Sequence, residues 1–182
     1  FAYVHPVSQR VAFLTGVNLL ISPSMDKYDG AGLKTGTFSA MDGALSAGLS
    51  LTFTADAGFG LLAKAVSQSA DSRRAYAYAA DAGYILRFDN LKFGVAVQNL
   101  GTPLKLYKTN FALPLTFRGG AAYRLSERFW FAADAFQTGG GLGLAAGAEG
   151  EITVTPAETA FLRTGYRSGG SKSAGSGFTL GV

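Results

Sequence analysis

The sequence contains no cysteine and one histidine among its 182 residues. The absence of cysteine excludes disulfide bonds and metal sites built from thiolates. Charged residues are also scarce, at 15% of the chain against about 25% in soluble domains. No run of about 18 apolar residues occurs, which excludes a transmembrane helix. The hydrophobic residues, 48% of the chain, must therefore be distributed along shorter elements.

Positive charge is present without being concentrated. The formal net charge is +4, but the Lys and Arg residues are scattered singly and form no basic run. A nucleic-acid partner usually requires a basic patch or stripe. We therefore expect no nucleic-acid binding.

The clearest pattern is an alternation of apolar and polar positions within Arg74 to Gly101. The even positions from Tyr76 to Phe88 are apolar or aromatic, whereas the odd positions are small or charged. After Asp89-Asn90 the alternation resumes. A period of two residues is typical of a strand with one apolar face, and two such runs joined by a two-residue turn predict an antiparallel hairpin.

Similar alternation predicts about ten strands, of which several are roughly 11 to 15 residues long, against the usual 5 or 6. Such lengths suit tilted strands that cross a membrane. Apart from the hairpin above, the predicted strands are Phe1 to His5, Arg10 to Ile21, Met41 to Phe53, Ala57 to Ser67, Leu113 to Leu125, Phe129 to Gln137, Leu142 to Val154, Glu158 to Arg167 and Gly177 to Val182.

The predicted connections alternate between short and long. Short turns are predicted near Val7, Ala55, Asp89, Ser126 and Pro156. Longer polar loops are predicted near Lys27, Ala70, Lys105, Gly140 and Ser171. Outer-membrane barrels show this pattern, with tight periplasmic turns and longer external loops.

These features predict an all-β fold, an antiparallel up-and-down transmembrane β-barrel integral to the bacterial outer membrane, with residues 1–182 in one domain. A soluble β-sandwich is the alternative, but it requires shorter strands and a charged outer face. The side chains expected to contact lipid are Leu45, Leu49, Leu51, Tyr84, Leu86, Phe88, Phe93, Val95 and Val97.

The longest predicted loop, Ser22 to Thr37, has no periodicity and is rich in Asp, Gly and Lys. Long polar loops on a rigid scaffold often carry partner contacts. We therefore expect it to be external and mobile. Its candidate contact residues are Asp26, Lys27, Tyr28, Asp29 and Lys34.

Several short stretches, in their order and spacing, resemble the PorV/PorQ family of outer-membrane proteins, relatives of the FadL-type transporters of hydrophobic compounds. The matching stretches are Gly60 to Lys64, Ala80 to Gly83, Val97 to Pro103, Leu113 to Gly120, Gly147 to Glu149 and Leu162 to Arg167. The sequence departs from the family pattern at Gly150, where the family usually has an aromatic residue.

The resemblance implies a barrel of about fourteen strands, so we expect this chain to be its later part, truncated at both ends. It implies a non-enzymatic role in protein secretion, with capture of cargo in a type IX-like system. The partners would be membrane lipid and secreted cargo or secretion-machinery subunits. The alternative is a FadL-like channel for hydrophobic small molecules. A barrel enzyme lacks the necessary residues.

The polar positions of the predicted strands form the main candidate site. We expect a lumen charge network of Lys64, Asp81, Arg118, Asp134, Glu149, Arg163 and Arg167. The same face carries Arg87, Lys92, Gln98, Arg124 and Glu151. Buried charges must be paired or hydrated, so the network either holds the barrel rigid or forms a conduction path. Rigidity is favoured, because Trp130, Phe136 and Phe161 narrow that face.

One pair within this set follows from strand geometry. If Thr155-Pro156-Ala157 is a three-residue turn, Val154 pairs with Glu158, and equal steps back place Glu149 opposite Arg163. Opposed side chains are about 4.5–5.5 Å apart at Cβ, close enough for an ion pair. If that pair is buried, removing either partner is expected to cost about 3–5 kcal/mol.

Other candidate sites are rejected. The run Gly141 to Ala146 fits G-x-G-x-x-A, but a dinucleotide fingerprint requires a following helix, which Ile152, Thr153, Val154 and Pro156 disfavour. His5 lies beside Pro6 near a predicted turn and is interpreted as structural. No cluster has the spacing of metal ligands. We expect no catalytic residue, cofactor or metal.

Overall fold

The computed structural model describes residues 1–71, 73–106, 109–155, 158–169 and 176–182. In chain order its strands are β1 (Ala2–Pro6), β2 (Val11–Ile21), β3 (Met25–Tyr28), β4 (Lys34–Phe38), β5 (Ala40–Thr54), β6 (Ala57–Ala70), β7 (Arg73–Phe88), β8 (Leu91–Gly101), β9 (Leu104–Leu106), β10 (Thr109–Phe111), β11 (Thr116–Ser126), β12 (Phe129–Thr138), β13 (Gly141–Thr155), β14 (Glu158–Arg167) and β15 (Gly177–Gly181). Within this part of the chain, no helix is long and apolar enough to cross a membrane.

Among the described residues, eleven strands form one sheet in the order β1-β2-β5-β6-β7-β8-β11-β12-β13-β14-β15. Neighbouring strands follow one another in the chain, except where β3–β4 and β9–β10 form separate two-stranded sheets. The strand pairs with a measured register are antiparallel. The prediction of an all-β, antiparallel, up-and-down fold is confirmed.

Strand β7 shows why alternation produces this sheet. Its residues Ala75, Ala77 and Ala79 are 3%, 1% and 7% exposed. The intervening Tyr76 and Tyr78 are 60% and 67% exposed. Successive side chains of a strand point to opposite faces, so small residues are buried on one face and aromatic rings are presented on the other.

The chain divides into two compact units. The first unit comprises Phe1–Leu51, Gly60–Asp81 and Asn99–Leu113, and the second comprises Thr52–Phe59, Ala82–Gln98 and Pro114–Val182. In the first, a Cβ added at Gly48 or at Gly101 would overlap the carbonyl oxygen of Leu61 or of Tyr78, respectively. These two glycines therefore allow a close approach of neighbouring backbones.

The predicted short turns are confirmed at three places in the second unit. Ala55–Asp56, Asp89–Asn90 and Glu127–Arg128 each separate two consecutive strands. Arg87 N–H donates to the carbonyl oxygen of Asp56 at 2.7 Å, and Arg124 N–H donates to that of Asn90 at 2.7 Å. These bonds link successive hairpins. We call the part of the second unit that carries the three turns the Asp89 end.

The loop predicted from Ser22 to Thr37 is largely a β-hairpin, formed by β3 and β4. Most of its residues are exposed, so it has no buried face to impose a period of two. The Asp29 carboxylate closes the turn by accepting N–H groups of Ala31 and Leu33 at 2.9 Å each. Backbone pairing and turn chemistry therefore form this hairpin, which is why the alternation pattern missed it.

Two other connections predicted as longer loops, Gln68 to Arg73 and Gly139 to Gly141, are short turns. Strand β6 continues to Ala70 and β7 begins at Arg73, while β12 continues to Thr138 and β13 begins at Gly141. The prediction of regularly alternating short and long connections is therefore wrong at these positions. The predicted loop near Lys105 contains β9 and β10, and the strand predicted from Leu113 begins at Thr116. The loop predicted near Ser171 lies outside the described residues.

Candidate functional site

Strand register in the second unit places the predicted polar side chains on a single face of the sheet. Arg124 is paired with Trp130, and Trp130 with Glu149. Glu149 is in turn paired with Arg163. Paired residues share a face, as do residues two positions apart. The same face therefore also carries Lys92, Arg118, Asp134, Phe136 and Arg167. We call this surface the polar face.

The Glu149–Arg163 ion pair forms where the register analysis expects it. Arg163 Nε donates to Glu149 Oε2 at 2.5 Å. The pairing of Val154 with Glu158 is wrong, because Thr155 pairs with Glu158 across an irregularity that follows Thr153. From Thr153 back to Glu149 the pairing with β14 is regular, so the irregularity does not change the partner of Glu149. Residues 156 and 157 of the predicted turn lie outside the described residues.

This pair is not buried. The Arg163 and Glu149 side chains are 60% and 35% exposed. The expected cost of about 3–5 kcal/mol for losing one partner applies to charges removed from water, so that expectation is corrected downward here.

Arg118 and Asp134 form a second pair on the polar face. Arg118 Nη2 donates to Asp134 Oδ2 at 2.6 Å, and the Asp134 side chain is 24% exposed. Gly120 lies directly opposite Asp134, and a Cβ at Gly120 would lie 2.6 Å from the Asp134 Cβ. The aspartate therefore depends on a glycine on the neighbouring strand for its position.

In the first unit, Lys64 and Asp81 form the most buried ion pair of the candidate set. Lys64 Nζ lies 2.6 Å from Asp81 Oδ1, and the side chains are 16% and 17% exposed. Lys64 Nζ also donates to Asn99 Oδ1, and Asn99 N–H donates to Asp81 Oδ1 at 2.8 Å. Lys64, Asp81 and Asn99 therefore satisfy one another's hydrogen-bonding groups at a position that is mostly shielded from water.

Arg167, the last of the seven predicted network residues, contacts an aromatic ring. Its guanidinium lies 4.3 Å from the centroid of the Phe136 ring. Phe136 is 4% exposed and lies over Gly143, where any Cβ would overlap the ring. The seven residues therefore form three ion pairs and a cation–π contact, rather than one continuous charge network.

A cationic cluster occupies the Asp89 end of the polar face. Lys92 Nζ lies 4.1 Å from the centroid of the Trp130 ring, and Arg124 Cζ lies 5.7 Å from the same centroid. Arg124 Nε and Nη2 also donate to Asn90 Oδ1 at 3.3 and 3.2 Å. Two cations therefore share one aromatic ring, which stabilises each of them by a cation–π interaction.

The other predicted polar residues occupy less specific positions. Arg87 is exposed near the Asp89–Asn90 turn. Gln98 is paired with Thr116, and Glu151 is paired with Phe161. Within the described part of the chain, no ion pair joins these three residues to those described above, so we assign them no site.

The five predicted contact residues lie on or beside the hairpin β3–β4. Lys34 Nζ lies 2.7 Å from Asp26 Oδ1. Lys27 Nζ lies 2.5 Å from Asp71 Oδ2, which joins the hairpin to the residue that follows β6. Tyr28 donates to Asp26 Oδ2 at 3.4 Å. Asp29 closes the turn. Intramolecular contacts therefore engage all five, and a role in binding a partner stays a prediction.

The second unit also carries two open apolar cavities. One has a volume of about 540 Å³ and is lined by Tyr84, Val95, Val97 and Phe117, among others. The other has a volume of about 530 Å³. It shares Gly119 and Ala135 with the first and adds Leu144, Ala146 and Tyr166. Small residues between larger ones create these hollows in an exposed apolar surface.

Residues rejected as sites have structural positions. The Tyr3 hydroxyl hydrogen-bonds to His5 Nδ1 at 3.3 Å, and the two rings stack. Gly141 to Ala146 lies within β13, so it is a strand. Within the described ranges, no group of three His, Cys, Asp or Glu side chains is arranged to hold a metal ion.

Sequence reasoning missed Asn90, Asn99 and Asp71. Asn99 and Asp71 have φ angles of 61° and 56°, in the left-handed region. Asn and Asp adopt this conformation more readily than most residues, so a lone Asn near the end of a strand is a usable signal. The sequence predicts the Asp89–Asn90 turn but gives no signal for the hydrogen bonds that Arg124 donates to Asn90.

Comparison with solved structures finds the toluene transporter TodX of Pseudomonas putida, with 13% sequence identity and a TM-score of 0.68. The match covers 91% of this chain and 66% of TodX. A Pseudomonas aeruginosa FadL homologue matches with 11% identity and a TM-score of 0.40, covering 91% of this chain and 68% of that protein. No protein-family model and no curated protein sequence matches. The likeness to TodX establishes the fold, and this chain spans about two thirds of that protein.

Proposed function

We propose that this chain belongs to an outer-membrane β-barrel that transports small apolar compounds, in the class of FadL-like transporters. The observation that carries the proposal is the likeness to the toluene transporter TodX, with a TM-score of 0.68 over 91% of this chain. It favours the channel alternative over the secretion role that the PorV/PorQ resemblance implies.

The exposed apolar side chains support an outer-membrane location. Leu45, Leu49 and Val95 are 60%, 50% and 60% exposed although they lie in the middle of long strands. Exposed apolar residues in this number are unfavourable in water and favourable against lipid tails. We propose that this surface contacts membrane lipid and that the polar face lines the lumen.

The polar face supports transport without chemistry. Four of its charges form the ion pairs Arg118–Asp134 and Glu149–Arg163, and the exposed Phe161 ring offers apolar contact to a passing molecule. We therefore assign no catalytic residue and no cofactor.

Two adjacent alanines of β11 provide a matched test. Ala122 is paired with Lys92 and Ala132 on the polar face, whereas Ala121 is paired with Phe93 and Ala133 on the opposite face. We expect Ala122→Trp to reduce the uptake of labelled toluene by Gram-negative cells that produce the full-length protein. Ala121→Trp should leave uptake unchanged. Equal uptake by both variants at equal surface abundance would contradict a path along the polar face.

Cargo capture for protein secretion is the second candidate function. The exposed hairpin β3–β4 favours it, because it carries charges beyond the main sheet. Replacing the tip Gly30–Gly32 with a longer Gly-Ser linker should then block secretion of cargo and spare toluene uptake. Unchanged secretion in that variant would remove the hairpin from this role.

A further inference from the structure

We propose that Lys92 and Arg124 form a binding site for a phosphate-type dianion at the Asp89 end of the polar face. Both cations lie within 6 Å of the centroid of one ring, that of Trp130. Like charges held this close repel each other unless an anion or water screens them. The cluster therefore has a physical reason to attract an anion.

No carboxylate of the described residues lies within ion-pair distance of the cluster. All 12 Asp and Glu residues lie in the described ranges, and within those ranges neither Lys92 nor Arg124 forms an ion pair. On the polar face, Glu149 is paired with Trp130 across the strands but is bound to Arg163, and Glu151 lies two positions further along β13, opposite Phe161. Two positive charges therefore remain available.

The donors of the cluster are also partly free. Arg124 directs Nε and Nη2 at Asn90 Oδ1, which leaves the Nη1 hydrogens for a ligand. The Lys92 ammonium has three N–H donors. It contacts the face of the Trp130 ring, which forms no conventional hydrogen bond with them, so these donors stay available to a ligand. The Asn90 amide nitrogen adds a neutral donor at the same place.

The number of charges selects the class of anion. A phosphate monoester or inorganic phosphate carries about −1.5 to −2 at pH 7 and has three strong acceptor oxygens. It therefore matches two cations better than a single carboxylate does. The phosphate could belong to a soluble molecule or to a phospholipid whose headgroup is a phosphate monoester, and the experiment distinguishes these sources. The inference does not depend on transport.

Trp130 is the single tryptophan of the chain, so its fluorescence reports directly on this site. The full chain in neutral detergent micelles is titrated with inorganic phosphate, and with sodium chloride at matched ionic strength. We expect a saturable change with phosphate and none with chloride. Lys92→Met and Arg124→Met should each weaken phosphate binding about tenfold, because each removes a charge-assisted contact. Arg10→Met, which removes an exposed cation of the first unit, should have no effect.

A variant with the opposite expected effect guards against misfolding. Glu149→Gln removes the carboxylate opposite Trp130 and releases Arg163, so it should tighten phosphate binding. Micelles that contain phosphatidic acid, whose headgroup is a phosphate monoester, identify the source. If this lipid competes with phosphate and phosphatidylcholine does not, the ligand is an anionic headgroup; if neither competes, it is a soluble phosphate. A phosphate response equal to the chloride response, or equal phosphate affinity in Lys92→Met and Arg10→Met, would overturn the proposal.

Discussion

The Lys64–Asp81 pair in the first unit and the Glu149–Arg163 pair in the second have almost the same length, 2.6 and 2.5 Å, but different surroundings. The first has side-chain exposures of 16% and 17%, and the second has exposures of 60% and 35%. Coulomb attraction depends on the dielectric as much as on distance. Bond length therefore does not rank these pairs, whereas burial does.

The two pairs also differ in their neighbours. Asn99 accepts from Lys64 and donates to Asp81, so both charges of the buried pair have a further partner. Arg163 has an additional contact with the Phe161 ring, at 5.7 Å from its centroid, and the Glu149 side chain is 35% exposed. The loss of one partner should therefore be costly in the first unit and mild in the second.

The largest effect is expected from Lys64→Met. This change leaves Asp81 mostly buried without its cation, which typically costs about 3–5 kcal/mol of unfolding free energy. The double variant Lys64→Met with Asp81→Leu should be milder than either single variant, because no charge is then stranded. Urea unfolding of each variant in lipid vesicles, monitored by circular dichroism, measures its free energy of unfolding.

Arg10→Met serves as the matched control for loss of a surface cation and should change stability by less than about 0.5 kcal/mol. If Lys64→Met behaves like this control, burial is not the property that distinguishes the two ion pairs.

The next largest loss of stability is expected when an unpaired charge is placed among the exposed apolar side chains of the sheet. Leu49→Arg places a cation where we expect lipid, which should cost about 2–4 kcal/mol near the middle of a bilayer. Ser50→Arg, one residue further along β5 on the other face, is the control and should cost much less. Equal folding yields of the two variants in lipid vesicles would contradict the lipid-facing assignment of Leu49.

The exposed pair should show only weak coupling. In a double-mutant cycle of Glu149→Gln and Arg163→Met, we expect a coupling energy of about 1 kcal/mol or less, because water screens both groups. The same unfolding assay measures it. A coupling energy as large as that of Lys64 with Asp81 would contradict screening of the Glu149–Arg163 pair by water.

The smallest effect on stability is expected at Lys27. Its ion pair with Asp71 has side-chain exposures of 48% and 39%, so Lys27→Met should change the unfolding free energy by about 0.5 kcal/mol or less. Local protection should change more, because the pair joins the hairpin to Asp71. Limited proteolysis should therefore cut the hairpin faster in Lys27→Met than in Lys34→Met. The reverse order would show that the Asp26–Lys34 pair controls the hairpin.

The strands and the Glu149–Arg163 register could be predicted because both depend on local rules. Alternation shows which residues of a strand share a face, and a short turn fixes which residues lie opposite one another. The irregularity after Thr153 could not be predicted. It changes only the pairing next to the turn, where Thr155 and not Val154 lies opposite Glu158. The prediction succeeded because the register between Thr153 and Glu149 is regular.

The exposure of that pair and the role of Asn99 could not be predicted in this way. Exposure depends on which other elements cover a face, and alternation does not contain that information. Asn99 interacts with residues 18 and 35 positions away through a left-handed backbone conformation. The hairpin β3–β4 escaped prediction for a different reason, since a sheet without a buried face leaves no hydrophobic period.

The independence of that hairpin has a practical consequence for engineering. Its two strands pair with each other in a sheet of their own, and Asp29 closes the turn through Ala31 and Leu33. A Cβ added at Gly30 would meet open space. A peptide epitope inserted after Gly30, with a second Asp-Gly turn placed behind it, should leave the register of β2 and β5 intact. The hairpin is therefore a suitable position at which to display foreign peptides on this scaffold.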